Sequence, residues 1–304
     1  AVRGLVQAPA SPWLGSLRLL LFAAGLLAGS LVFWCTAPAP LGLVALFLAG
    51  VSYALLLITT HDAVHGTLLG RPRLEFALAC LISWPMAWPF ATYAALHRLH
   101  HHWNGRDPRD PERVDPLGEE LRRGDALRRW HQRHPVWGRA LLLGGLGLIA
   151  DTARKGWRLQ RCDRRLPTRL RLDLAGVLAV HSAMLAIALA AGVFWRYLLF
   201  WLVLERSIGA IVQTRGLIEH HGLWRRSPGS LLTQLYASAT VQAPTWLNVA
   251  LGGLPHHAAH HAFPSIPFQQ LPLATARIAA VLEAHRQPGL PELPSYRAGL
   301  RRLM

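Results

Sequence analysis

The apolar run from Leu41 to Thr60 ends directly on His61-Asp62-Ala63-Val64-His65. The same join, an apolar segment stopping on clustered imidazoles, recurs at His97-Arg98-Leu99-His100-His101-His102 and at His256-His257-Ala258-Ala259-His260-His261, with the pair His220-His221 between them. Such a chain must bury runs of bilayer length while gathering its histidines at one membrane face. About 20 apolar residues cross a hydrocarbon core as a helix, and a spanning backbone has to satisfy its own polar groups. The expected fold is therefore all-α: a polytopic membrane helical bundle with a cytoplasmic histidine-rich cap.

Spans are expected at roughly 17–34, 41–60, 172–191 and 193–212. The first run is longer than the core of a signal peptide and is read as a retained spanning helix. The apolar stretch 76–96 is broken by Pro85 and Pro89. It reads as a kinked or re-entrant segment, because His65 and His97 must reach one site on one face. Ala140 to Ala150 is too short to cross and is expected in the interface. Arg196, near a turn at Gly192, is expected to snorkel to the outer surface. His181, inside a span, reads as a packing or hydrogen-bonding residue, and Leu271 to Leu282 as an amphipathic surface helix. Residues 97–139 and 213–304 are assigned to the cytoplasmic side, and no linker divides the chain, so 1–304 reads as a single integral-membrane domain.

The net charge of +16 is concentrated between Arg98 and Arg171. Because the charge flanks membrane-length segments, the positive-inside rule accounts for it better than nucleic-acid binding does. That places the histidine face and the N-terminus in the cytoplasm and the protein in an inner membrane of bacterial type. Cys35, Cys80 and Cys162 are far apart, forming neither a disulfide framework nor a Cys-x-x-Cys metal site.

Residues four apart share a helix face. His61 with His65, His97 with His101, and His257 with His261 can each point at one ion, with His100 and His260 beside them. Imidazole suits iron, zinc, copper and nickel. Eight or nine such ligands exceed what one ion takes and suit two. Asp62 and Glu219 each adjoin a candidate ligand and are read as accepting an imidazole N–H, with direct ligation as the alternative. Asp107 and Asp110 read as structural, capping helices or pairing with Arg106, Arg109 and Arg113.

The pattern resembles the integral-membrane fatty acid desaturase and hydroxylase superfamily, a di-iron group with three histidine boxes. His61-Asp62-x-x-His65-Gly66 is similar to the first box. His97-x-x-His100-His101, continued by Asn104, Asp107 and Asp110, is similar to the second. His257-x-x-His260-His261-x-Phe-Pro-x-Ile-Pro is similar to the third, and Glu219-His220 to the additional ligand position before it. The resemblance implies a metal set of His61, His65, His97, His100, His101, His220, His257, His260 and His261. His101 ranks above His102, and His257 above His256. It also implies two non-haem iron ions, O2 as co-substrate, and hydrogen abstraction from an unactivated C–H bond of a lipid or fatty-acyl substrate. With no flavin, nicotinamide or haem module in the chain, the electrons are expected from a separate acidic donor such as ferredoxin or rubredoxin. One departure is Gly253, where some desaturases carry an asparagine. The leading expectation is fatty-acyl desaturation. The alternatives are a hydroxylase or ketolase of the same superfamily acting on an alkyl chain or carotenoid, and, more distantly, a metal transporter or a membrane zinc hydrolase.

Overall fold

The computed structural model describes residues 2–36, 40–115, 129–130 and 133–304. After a single turn, α1 (Arg3–Val6), come the long helices α2 (Pro12–Cys35) and α3 (Pro40–His65). Ser11 starts α2 by accepting from the Leu14 amide, and Pro12 presets its first turn. The two helices pack through small residues. A Cβ on Gly29 would lie 2.5 Å from the Ala45 carbonyl oxygen, so only glycine permits this approach. Helix α3 ends at Gly66, in the left-handed region at φ 70°. The Asp62 carbonyl there accepts from the Thr67 amide and hydroxyl, so the last turn of α3 presents His61 and His65.

Helices α4 (Pro72–Ser83) and α5 (Phe90–Trp103) form the broken segment, bent by 113°. Pro85 and Pro89 cannot continue a helix. A 3-10 turn at Trp84–Met86 and a left-handed Ala87 redirect the chain. The backbone groups freed by the break find partners on other helices. Tyr53 donates to the Ile82 carbonyl at 2.7 Å. Asp173, buried on α7 (Leu166–Ala190), accepts from the amides of Ala91 and Thr92 and from the Trp84 indole. It serves α5 as an N-cap borrowed from another helix. The pair leaves from the His65 end of α3 and returns to the same level at His97.

Among the described residues, five helical segments are long and apolar enough to cross a membrane: α2, α3, Val136–Arg158, α7 and α8 (Phe194–His220). The third is longer than the Ala140 to Ala150 stretch expected in the interface, and it is interrupted. Its π-helical first part, Val136–Leu143, starts against Leu217 and Ile218 near the histidine end of α8. The chain breaks at Gly144, at φ 56° and ψ −145°. Helix α6 (Gly144–Arg158) then climbs back until Lys155 donates to the Pro111 carbonyl at 2.5 Å. Polar side chains of α8 satisfy the backbone groups that the break leaves free. Arg206 donates to the carbonyls of Leu141, Leu142 and Leu143, Gln213 to those of Arg139 and Gly144, and Glu205 accepts the Leu146 amide. The bent pair α4–α5 and the break at Gly144 are the two interruptions among these apolar helical segments. At the opposite end Arg196 finds its partners on α2. It donates to the carbonyls of Phe33 and Thr36 at the end of α2 and lies over the Phe33 ring.

Beyond α8 come α9 (Ser230–Tyr236), α10 (Thr245–Ala250), α11 (His257–Ala262), α12 (Leu271–Ala284) and α13 (Tyr296–Leu303). Leu271, Ala274, Ile278 and Leu282 form the buried stripe of α12. One parallel pair, β1 (Thr240–Val241) with β2 (Glu292–Leu293), ties the chain's last segment back onto this cap. The described residues make an all-helical, polytopic membrane bundle with its histidine clusters at one end.

Candidate metal centre

Four helices deliver the imidazoles: α3 its last turn, α5 its last two turns, α8 its final residue, and α11 nearly its whole length. Ring nitrogens of His61, His65, His97, His101 and His260 lie within 4.8 Å of one another, as do those of His100, His220 and His261. His257 completes the second group, its Nε2 being 2.9 Å from His220 Nε2 and 3.2 Å from His261 Nε2. The groups adjoin: His101 stacks on His261 with ring centroids 4.4 Å apart.

The extra imidazoles point elsewhere. His102 is exposed. His256 is turned toward the Thr275 hydroxyl at 3.0 Å, and His221 stands 3.9 Å from Asp115. His181 hydrogen-bonds the Trp84 carbonyl at 3.2 Å. Gly253 departs from the family pattern for a packing reason: it is left-handed, at φ 73°, and a Cβ there would lie 2.9 Å from the Phe268 carbonyl oxygen.

Two carboxylates fix ring orientation. Asp110 Oδ1 is 2.7 Å from His100 Nδ1, and Glu112 Oε1 is 2.7 Å from His97 Nδ1. A proton held on each Nδ1 leaves the Nε2 lone pair facing its group. Asp110 was expected to cap a helix or pair with arginine, and its partner is instead His100. Glu112 escaped the sequence reading altogether. Its only signal there was a position two residues past Asp110 in the loop following the second box. Asp107, by contrast, does pair with Arg109. His261 Nδ1 meets Gln234 Oε1 at 3.1 Å and the Asn104 amide at 3.4 Å.

Asp62 and Glu219 are both buried and both held by arginine. Asp62 accepts from Arg18 at 2.5 Å and stands 3.6 Å from His61 Nδ1, beyond hydrogen-bond reach. Glu219 pairs with Arg215, accepts from the Tyr296 hydroxyl at 2.8 Å and lies 3.5 Å from His257 Nδ1. Neither carboxylate belongs to the two ligand groups.

The centre suits cations. His61 Nε2, His65 Nε2, His100 Nε2, His101 Nδ1 and His260 Nε2 are buried with no hydrogen-bond partner among the described residues. Leaving one buried polar atom unpaired costs about 1–3 kcal/mol, so a cluster of them fits a site built for an electrophile. Burial, followed by neighbouring imidazoles, pushes His257, His260 and His261 well below the usual histidine range. Their rings are therefore neutral, the state that coordinates metal.

A cavity of about 1380 Å³ reaches this centre. His61, Tyr93 and Leu96 line it near the histidines, together with Leu57, Met86 and Gly145.

The fatty acid desaturase family model matches residues 36–289, and the chain belongs to that family. The two histidine groups agree with a di-iron oxidoreductase of desaturase type. Comparison with curated proteins finds no match.

Proposed function

We propose that this protein is an O2-dependent oxidoreductase that holds two non-haem iron ions and oxidises an unactivated C–H bond of a lipid, with fatty-acyl desaturation as the leading reaction. The observation that carries the reading is the packing of nine imidazoles, seven of them buried, into two adjoining groups beside a cavity. His61, His65, His97, His101 and His260 would hold one ion, and His100, His220, His257 and His261 the other. When bound, such an ion pair supplies the oxidising power to remove hydrogen from an alkyl chain, using O2 and electrons from a reduced partner.

The chain's own residues prepare this chemistry. Asp110 and Glu112 keep the protons of His100 and His97 on Nδ1. Leu57, Met86 and Leu96 give the cavity an apolar part that would take an alkyl chain. The cationic excess supports a cytoplasmic histidine face in an inner membrane, and a separate acidic donor of ferredoxin or rubredoxin type rather than nucleic acid.

Comparing lipid extracts from cells with and without the protein tests the reaction. A new double bond supports desaturation, while added oxygen on an alkyl chain or carotenoid assigns a hydroxylase or ketolase. About two irons per chain is the expected metal content, and one tightly held zinc with no oxidised product overturns the reading.

A further inference from the structure

Tyr296 lies beyond the residues 36–289 that carry the family match, yet its hydroxyl reaches the fully buried Glu219. The other Glu219 oxygen faces Arg215 and stands 3.5 Å from His257 Nδ1, an atom with no hydrogen bond among the described residues. The terminal carboxylate torsion of a glutamate is broad and two-fold, so one contact with an arginine does not fix its plane. A second contact on the opposite oxygen does, and Tyr296 supplies it. Burial and the adjacent Glu219 push the Tyr296 phenol well above its usual range, so it remains a donor.

The segment carrying Tyr296 is placed by several contacts. The Thr240 amide donates to the Pro291 carbonyl at 2.8 Å and the Gln242 amide to the Leu293 carbonyl at 2.9 Å. Ser295 caps α13 by accepting from the Ala298 amide. Leu300 and Leu303 pack with Leu217 and Ile218 of α8. Gly299 lies against Ile218 so tightly that a Cβ would come 2.5 Å from its Cγ2.

We infer that Tyr296 is a positioning residue for the four-histidine group: it fixes the Glu219 carboxylate beside His257, so that the C-terminal strand and helix complete that half of the site. This rests on the two-iron reading above.

The test uses the full chain purified in detergent and reconstituted with ⁵⁷Fe(II), followed by iron analysis and Mössbauer spectroscopy. Wild-type protein that takes up no second iron defeats the two-iron reading itself, and this inference with it. Tyr296→Phe removes only the hydroxyl. Outer contacts of this kind are worth roughly 10–100-fold in metal affinity, so its iron content is expected to fall toward one per chain, with one Mössbauer component lost and the thermal transition kept. Two irons with an unchanged spectrum would overturn the inference. Loss of both irons together with the thermal transition marks a merely structural role and overturns it equally. Gly299→Val keeps the hydroxyl but pushes α13 off Ile218; it should lose the same iron, and retention of both counts against the inference.

Discussion

Glu112 Oε1 stands 2.7 Å from His97 Nδ1, joining the loop after α5 to an imidazole on that helix. The contact sets which nitrogen of His97 carries the proton. Glu112→Ala is expected to weaken metal binding by about 10–100-fold, while Glu112→Gln, which keeps an acceptor oxygen, should retain most of it. Metal content per chain after dialysis against a graded chelator separates the two.

Arg18 and Asp62 form a buried pair between α2 and α3, with Arg18 also lying over the Phe268 ring. Arg18→Ala leaves an uncompensated carboxylate in the interior and should cost about 3–5 kcal/mol. Removing both charges with Arg18→Met and Asp62→Leu is expected to recover much of that loss. Thermal unfolding of the two single variants and the double variant completes the cycle.

The histidines outside the two groups offer internal controls. His102→Ala should leave metal content and product formation near wild type, because the ring is exposed. His260→Ala removes a member of the five-histidine group and should abolish the product. Lipid analysis of cells expressing each variant at matched protein level decides the matter, and full activity in the His260 variant would contradict the assignment.

Gly209 meets the backbone of Gly144 and Gly145 too closely to admit a Cβ. Gly209→Ala should push that backbone away from α8 at a cost of about 1–3 kcal/mol. Hydrogen exchange is expected to rise at residues 141–146 while the amides of α3 stay protected.

The apolar runs within α2, α3, α7 and α8 are legible in the sequence because burial in lipid demands uninterrupted hydrophobicity. The break between α4 and α5 is legible because Pro85 and Pro89 cannot be accommodated otherwise. Local spacing likewise shows that His61 and His65, or His97 and His101, share a face. The contacts that escape are those made across the fold. Nothing near Gly144 announces that Arg206 will donate to the Leu143 carbonyl and Gln213 to that of Gly144. Arg18 is separated from Asp62 by 44 positions and Tyr296 from Glu219 by 77, and each pairing exists only after helices dock. Glu112 is nearer to His97, at 15 positions, but a loop must fold back under α5 before the two meet.

The five-histidine group takes members from residue 61 to residue 260, and its neighbour from residue 100 to residue 261. The donors of each set are scattered over more than half of the chain. Assembly is therefore ordered: α11 must be synthesised before either ion can meet its full complement of donors, so complete loading waits for that helix and cannot guide the earlier steps.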